Sequence, residues 1–369
     1  MSYLDSRMTR EEFISTRGAI ETQHQAINAL RLLDYFCKAV HNKDGDEVVL
    51  ELESICKTDQ NYDRLFRFCN SYVLWLQEEH PDIAIIKNRY ETHLKSHQPS
   101  TIKGIINYLR AYCEEFGQIE FSERRFKRMV KLPKIIYEEP DPFTKEQIRI
   151  FVEMATPKRR ALYMTLKDSG MRIGEAHKLR KKDIDMTTNP VTITIQAKNT
   201  KTKRGRTTFI TRETKSYLKM VLDRIDDKDL VFGSSTNARR ALSTELQIVD
   251  RIRKRTGLTQ RYDASRRFKK NLHSLRAYCA TQLAEVYDEG FAHAFIGHKG
   301  YLQQYIRNKD KLAEKYLRAE NHLMVYQTVE VVENSITTEM LEERVREEMK
   351  KQFAQLHQLE VRRERLLTS

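Results

Sequence analysis

Apolar residues recur every three or four positions through much of the first 136 residues, the spacing that places side chains on one side of an α-helix. The first such run carries Ile27, Leu30, Leu33 and Phe36. Further runs predict helices at about residues 62–79 and 100–116. Thr9 followed by Glu12 has the capping-box pattern of a helix start, so a short helix is predicted before these runs.

Breaks in this pattern predict how the chain is organised. Two prolines and four acidic residues interrupt helical and strand patterns within YEEPDPFTKEQ, residues 137–147. Thr144, with Gln147 three residues later, then starts a new helix. We predict an N-terminal helical extension, a second helical domain, a linker, a larger C-terminal domain and a terminal helix. Their ranges are 1–58, 59–136, 137–143, 144–330 and 331–369.

The second half adds a strand pattern to the helical one. Val191, Ile193 and Ile195 alternate with polar residues and predict a strand with one buried face. A second strand is predicted at about 206–210, with Leu230–Phe232 as a further short candidate. Glycine and proline are sparse, at 12 and 7 residues, which favours helix elsewhere. The predicted fold class is mainly α with a small antiparallel β-sheet, an α+β protein.

The last 35 residues carry an amphipathic pattern among many charges. Its apolar positions are Leu341, Val345, Met349, Phe353 and Leu356. Such a helix buries its apolar stripe against a partner, in the same chain or in another. We therefore predict that residues 331–369 form an assembly element.

The net charge of the chain indicates which class of molecule the protein binds. Lys and Arg total 66 against 52 acidic residues, a formal net charge of +14. An excess of this size predicts a polyanionic partner, either nucleic acid or an anionic membrane surface. No apolar run approaches the roughly 20 residues of a membrane helix, and the N-terminus lacks the apolar core of a signal peptide. Nucleic acid in the cytoplasm is the better prediction.

The cysteines carry no sign of a metal site or a disulfide framework. There are five, an odd number at irregular spacing without a C-x-x-C motif. This usage predicts reduced, buried thiols in a cytoplasmic protein.

The strongest chemical signal is the stretch HSLRAYCATQLAEVYDEGFAHAFIGHKGYLQQY, residues 273–305. Arg276 lies one helical turn after His273, so both side chains project from one side of the predicted helix. A guanidinium fork matches two phosphate oxygens at once, and the pair therefore suggests a phosphate clamp. Gly297 allows a sharp turn before His298, and tyrosines follow at positions 301 and 305.

Two upstream motifs carry further basic groups. In SGMRIGEAHKL, Arg172 follows a glycine turn at the start of a short predicted helix and lies among apolar neighbours. Glu175 lies one turn on, where it can orient Arg172 while Arg172 holds an anion. Between the two predicted strands, the sequence NTKTKRG forms a basic hairpin tip that includes Lys201.

Taken in order, these motifs resemble the tyrosine recombinases, the family of phage integrases and Xer-type enzymes. The string GHKGYLQQYIR looks like that of archaeal-type integrases. The resemblance covers the C-terminal half well and the middle loosely. It implies a helical core-binding domain at 59–136 and a catalytic domain at 144–330, which together form a clamp around double-stranded DNA. It also implies a homo-oligomer, a tetramer on DNA, that exchanges C-terminal segments.

The resemblance implies a role for each residue of the site. Its catalytic set is Arg172, Lys201, His273, Arg276, His298 and Tyr305, supported by Glu175. The DNA-contacting residues are predicted to be Lys198, Lys203, Arg204, Arg266, Arg267, Lys269 and Lys270. Site-specific cutting and rejoining through a 3′-phosphotyrosine conserves bond energy, so no metal or other cofactor is expected.

Some assignments stay open at this point. The nucleophile is Tyr305, with Tyr301 and Tyr316 as alternatives, and core packing is the better reading of Tyr316. Lys198 is the alternative to Lys201. A type IB topoisomerase-like nicking enzyme, a catalytically inactive DNA-binding regulator and a helical scaffold are the competing functions.

Overall fold

The structure is a computed structural model, and it describes residues 7–59, 62–87, 90–234, 237–298 and 308–326. The chain divides into two compact units. Unit 1 contains the chain up to Glu139 together with Arg261–Arg267, and unit 2 contains the rest from Pro140 onwards. The division falls inside the predicted linker, and the predicted C-terminal helix at 331–369 lies outside the described residues.

Unit 1 is helical, with one β-hairpin. Its described elements are α1 (Arg10–Ser15), α2 (Ile20–His41), α3 (Gly45–Asp59), α4 (Asp63–Trp75), β1 (His80–Lys87), β2 (Tyr90–Leu94), α5 (Pro99–Glu115) and α6 (Glu123–Met129). The predicted capping box at α1 is confirmed. The Thr9 hydroxyl accepts from the Glu12 amide at 3.2 Å, and the Glu12 carboxylate accepts from the Thr9 amide at 2.7 Å.

One hydrophobic core runs through the described helices of unit 1, from Phe13 to Val130. The predicted extension at 1–58 and the predicted domain at 59–136 therefore share a core. Ile27 was predicted on the apolar side of α2, but it is 43% exposed.

The antiparallel hairpin β1–β2 was missed by the sequence analysis, which predicted no strand between the helices at about 62–79 and 100–116. Ile83 and Ile85 alternate with other residues and pack against the core of unit 1, where Leu94 is buried. The alternation is short and lies beside a run of charged residues, so the period-2 signal was weak.

The segment Arg261–Arg267 groups with unit 1 and contacts Glu138 and Glu139, at the start of the predicted linker. The Glu138 carboxylate accepts hydrogen bonds from the Ala264 amide at 2.8 Å and the Ser265 hydroxyl at 2.6 Å. The Tyr262 hydroxyl donates to the Glu139 carbonyl at 2.9 Å. These bonds fix a turn in which Arg266 adopts a φ of +57°.

Unit 2 combines helices with a small sheet. Its described elements are α7 (Lys145–Glu153), α8 (Pro157–Ser169), α9 (Ile173–Ala176), β3 (Ile184–Asp185), β4 (Val191–Ile195), β5 (Arg206–Ile210), α10 (Arg212–Leu222), α11 (Ala238–Thr256), α12 (Leu272–Val286), α13 (Glu289–Ile296) and α14 (Lys309–Leu323). The sheet is antiparallel in the order β3–β4–β5. The predicted fold class, mainly α with a small antiparallel sheet, is confirmed.

Most local predictions in unit 2 hold. Thr144 and Gln147 form the predicted capping box at the start of α7, and alternate residues of β4 are buried. The candidate strand at Leu230–Phe232 is wrong, because only Leu230 pairs, in an isolated bridge with Arg180.

Helix α8 lies at the centre of unit 2, packed against α10 and α12. Its C-terminal end carries a fully buried ion pair, Lys167 with Asp168, and the Lys167 ammonium lies 3.2 Å from the Glu213 carboxylate. Buried charges of this kind persist only when paired and hydrogen-bonded. The network fixes the end of α8, which leads directly into the turn before Arg172.

Within the described ranges, no helix is long and apolar enough to cross a membrane.

Candidate active site

The end of α8 shapes the first part of the site. Gly170 caps the helix in the left-handed region, with φ +58°, which favours glycine. A Cβ here would lie 2.6 Å from Ile296 Cγ2, so close packing requires the glycine as well. The chain then turns, and Arg172 occupies the position immediately before α9. The predicted turn and the placement of Arg172 at a helix start are both confirmed.

Helix α12 brings in the second arginine. Arg276 is 2% exposed, and one of its terminal nitrogens donates to the Gly170 carbonyl. Its Nε and Nη2 atoms are buried without a hydrogen-bond partner among the described residues. His273 lies one turn earlier, exposed at the start of the helix. Buried N–H groups without partners are rare and costly, so Arg276 is arranged to receive an acceptor.

Glu175 joins two arginines. It accepts from the Arg172 amide at 2.9 Å and from Arg172 Nη1 at 3.2 Å. It also accepts from Arg206 Nη2 at 2.8 Å and Nη1 at 3.3 Å, a bidentate pair. Burial alone would raise the pKa of Glu175, but hydrogen bonding and charge from Arg206 and Arg172 lower it below its usual value. Glu175 is therefore ionised at neutral pH.

The third part of the site follows α13. Gly297 caps this helix with φ +79°, as predicted, and His298 comes next. The His298 Nδ1 atom lies 3.3 Å from Nδ1 of His293, and the two rings pack edge to face. Burial, followed by the charges of Arg276, His293 and Arg172, lowers the pKa of His298 to about 4. His298 is therefore neutral at pH 7 and faces the same cationic cluster.

Together, these elements pair Arg172 and Arg206 with Glu175 and place the Arg276 guanidinium near enough to feel the charges of all three. Burial and the charges of Arg172 and Arg206 lower the pKa of Arg276 to about 9, which still leaves it protonated at neutral pH. The cluster carries excess positive charge in a partly buried place, with N–H groups available. Such a site favours a multivalent oxyanion such as a phosphodiester.

The His298 result gives a prediction for solution. We expect the imidazole of His298 to remain neutral down to about pH 5, and its pKa to rise in Arg172→Ala because one nearby cation is removed. Its folded pKa lies below the unfolded value of about 6.5, so its contribution to stability is complete above that pH and is lost towards pH 4. Histidine ¹⁵N NMR titration of the full chain measures this. A wild-type His298 resonance that titrates near 6.5 would contradict it.

Lys201 lies at the exposed tip of the loop between β4 and β5, as predicted. Thr200 is buried and holds this loop, donating to the Ala197 carbonyl and accepting from the Arg204 amide, each at 3.0 Å. Lys203 adopts a positive φ of +54°. Lys201 makes no ion pair with any residue that the structure describes.

A cavity of about 810 Å³ lies beside the cluster. Its walls come from β4, from β5, including Arg206, from the loop between these strands, and from α13 and α14. Gly297 and Lys309, which line it, flank the stretch 299–307 that contains Tyr301 and Tyr305. Both tyrosines lie outside the described residues.

Tyr316 is described, and it is a core residue, as predicted. It is fully buried, stacks on Phe295 at a centroid distance of 5.5 Å and contacts Phe209. Its hydroxyl donates to the Asp168 carbonyl at 3.4 Å. Burial raises the pKa of Tyr316 well above its usual value, which disfavours the phenolate that a nucleophile needs.

The predicted DNA-contacting residues divide by exposure. Lys198, Lys203, Arg204, Arg266 and Arg267 are exposed, and Lys269 is partly buried. Lys270 corrects the prediction, because its ammonium is buried, pairs with Asp141 and donates to the Pro142 carbonyl. Its role is to fix the start of unit 2. Arg266 and Arg267 group with unit 1, although the predicted catalytic domain spanned them.

Comparison with known proteins decides the family. The sequence profile of the phage integrase family matches residues 142–311. Residues 142–311 are therefore a phage integrase domain. The predicted tyrosine recombinase family and the enzyme class, a tyrosine-type site-specific recombinase, are confirmed. No curated protein sequence matches the chain.

Several solved structures of recombinases and integrases are similar to this chain. A lambda integrase tetramer bound to a Holliday junction matches with a TM-score of 0.50 and 13% identity, over 79% of this chain and 75% of that one. XerA recombinase matches with a TM-score of 0.37 and 19% identity, over 84% and 98%. The integrase of mycobacterium phage Brujita matches with a TM-score of 0.41 and 14% identity, over 86% and 92%.

Arg206 is the site residue that sequence reasoning missed. It was read only as the first residue of a predicted strand. Its partner Glu175 lies 31 residues earlier, and no local spacing links the two.

Among the described residues, no group of three or more His, Cys, Asp or Glu side chains could hold a metal ion.

Proposed function

We propose that this integrase cuts and rejoins double-stranded DNA at specific sites through a covalent 3′-phosphotyrosine. The observation that carries the proposal is the pairing of Arg172 and Arg206 with Glu175 beside Arg276, two of whose nitrogens are buried without a partner among the described residues. A scissile phosphodiester supplies the acceptors that this cluster lacks. Arg172 and Arg276 would neutralise the charge that spreads over its non-bridging oxygens.

The nucleophile in this proposal is Tyr305. Its phenolic oxygen attacks phosphorus in line, the bond from phosphorus to the 5′ oxygen breaks, and His273 accepts the tyrosine proton. His298 is neutral and donates a hydrogen bond to the phosphate. Support for Tyr305 is its place in the stretch bounded by His298 in the site and Lys309 at the cavity.

The leaving 5′ oxygen receives its proton from Lys201. Attack of a 5′ hydroxyl from a second strand on the phosphotyrosine reverses the first step, so that one phosphodiester is exchanged for another. The energy of the broken bond is stored in the tyrosyl linkage, and the cycle closes without ATP.

DNA also engages residues outside the chemical centre. We propose that Lys198, Lys203, Arg204, Arg266, Arg267 and Lys269 contact phosphates, and that the helical unit 1 acts as the core-binding domain of a clamp. Strand exchange between two sites requires several protomers, and we propose a tetramer on DNA. The amphipathic pattern at 331–369 supports a role for the C-terminal segment in that assembly.

The functional test uses two DNA molecules, each with a candidate recombination site. The proposal expects recombinant products whose junctions fall within the sites. Relaxation of supercoiled DNA without recombinants would favour a type IB topoisomerase-like enzyme. Binding without any covalent adduct would favour an inactive regulator or a scaffold.

The role of Lys201 gives a separate prediction. We expect Lys201→Ala to lower cleavage by about 10²-fold or more and to recover on a substrate with a 5′-bridging sulfur, because a thiolate leaves without a proton. Single-turnover cleavage of the two substrates measures the rescue. Rescue of Lys198→Ala in place of Lys201→Ala would transfer the role to Lys198.

A further inference from the structure

We propose that Arg206 is a positioning residue that holds the Arg172 turn, the His298 turn and the Lys201 loop in one fixed arrangement. This inference rests on the proposed function. The side chain of Arg206 contacts the Arg172 turn, through Glu175, and the His298 turn, and its backbone closes the Lys201 loop. Arg206 orients Arg172 through Glu175 and does not itself touch the phosphate.

The first contact is with the carboxylate that orients Arg172. Both terminal nitrogens of Arg206 bind the two oxygens of Glu175, at 2.8 and 3.3 Å. The same oxygens accept from the amide and from Nη1 of Arg172. With its conformation fixed from one side by Arg206, Glu175 offers Arg172 a single orientation. A bidentate guanidinium–carboxylate pair gives this geometric precision, and a lysine does not.

The second contact is with the turn before His298. A Cβ added at Gly297 would lie 2.9 Å from Cδ of Arg206 and 3.1 Å from its Nε and Nη1 atoms. The aliphatic stem and the fork of Arg206 therefore pack directly against the backbone of Gly297. Gly297 is required here by its positive φ and also by the arginine beside it.

The third connection is through the backbone and joins Arg206 to the loop that carries Lys201. Arg206 is the first residue of β5 and pairs with Ile195 at the end of β4. It therefore closes the loop that carries Lys201. Gly205 is tightly packed as well, since a Cβ there would lie 3.0 Å from the Ile195 carbonyl oxygen. The side chain of Arg206 is 13% exposed, so its fork anchors the base of this loop inside the site.

The terminal nitrogens distinguish Arg206 from the two arginines proposed to bind phosphate, whereas the Nε atoms of Arg206 and Arg276 both lack a partner among the described residues. Both terminal nitrogens of Arg206 are taken by Glu175. Arg276 instead keeps Nη2 without a partner among the described residues, and Arg172 binds Glu175 through only one terminal nitrogen. Arg206 is therefore a support for the arginines that meet the substrate.

A double-mutant cycle tests the inference. Arg206→Gln, Glu175→Gln and the double variant are compared in single-turnover cleavage at saturating DNA, with DNA affinity measured in parallel. We expect each single change to lower the cleavage rate by about 10–100-fold and to leave the dissociation constant within about threefold, because binding is spread over many contacts. The double variant should be no slower than the slower single variant, since both changes remove one interaction. Arg206→Lys should recover little of the wild-type cleavage rate, because a lysine lacks the two terminal nitrogens that bind both oxygens of Glu175.

The matched control is the exposed ion pair of Arg149 and Glu146 on α7, at 2.9 Å. Arg149→Gln and Glu146→Gln should cleave at the wild-type rate. The inference would be overturned if the cleavage rate of the double variant fell by the product of the two single losses. It would also be overturned if Arg206→Lys cleaved at the wild-type rate, or if Arg206→Gln left the rate unchanged. Should Arg206→Gln fail to fold, Arg206→Lys with Glu175→Gln and their double variant complete the same cycle. Absence of adduct from the wild-type protein would count against the proposed function instead.

Discussion

Arg276→Ala is expected to lower DNA cleavage by about 10³-fold or more, because it removes a buried guanidinium aimed at the charge that develops on the phosphate. DNA binding should change little, since most of its free energy comes from many exposed basic contacts. Single-turnover cleavage and equilibrium binding at one salt concentration separate the two effects. Arg318→Ala on α14 is the control, because Arg318 is exposed and pairs only with Glu314 among the described residues. A variant that cleaves near the wild-type rate would remove Arg276 from the mechanism.

Arg276 is expected to lower the stability of the fold in the absence of DNA. Arg276 is buried beside two other guanidinium groups, and two of its nitrogens lack partners among the described residues. Desolvating an incompletely paired charge is unfavourable, and active sites commonly hold such unfavourable arrangements for function. We expect Arg276→Met, which keeps much of the volume without the charge, to unfold at the wild-type temperature or higher while remaining inactive. A clear drop in its unfolding temperature would show that Arg276 is mainly structural.

Tyr305→Phe is expected to abolish the covalent protein–DNA adduct. The change removes one oxygen and keeps the ring, so the fold and DNA affinity should survive while the nucleophile is lost. Tyr301→Phe and Tyr316→Phe should both still form adduct, the latter more slowly if packing against Phe295 and Phe209 is disturbed. A suicide substrate that traps the adduct measures all three. Adduct formation by Tyr305→Phe at the wild-type level would exclude Tyr305 as the nucleophile.

Local signals predicted much of this site from the sequence. The turns at Gly170 and Gly297, the arginine at a helix start and the one-turn spacing of His273 and Arg276 each depend on neighbours a few residues apart. The capping boxes at Thr9 and Thr144 are local in the same sense, as are most helix positions.

The rest depends on long-range contacts. Arg206 gains its role from Glu175, 31 residues earlier, and from the turn at Gly297. Lys270 reads as one more cation in a basic run, but its ammonium meets Asp141, 129 residues away in sequence. Burial of a charged side chain is set by such distant partners, and spacing along the chain carries no information about them.

The most direct test of a tyrosine-based cut and rejoin is to map the trapped adduct. The integrase is incubated with a nicked candidate recombination site, the covalent complex is digested, and the peptide attached to the 3′ phosphate is sequenced. We expect a phosphotyrosyl peptide that carries Tyr305. A peptide carrying Tyr301 or Tyr316 would move the nucleophile within the same chemistry, and an active enzyme that yields no tyrosyl adduct would contradict the mechanism altogether.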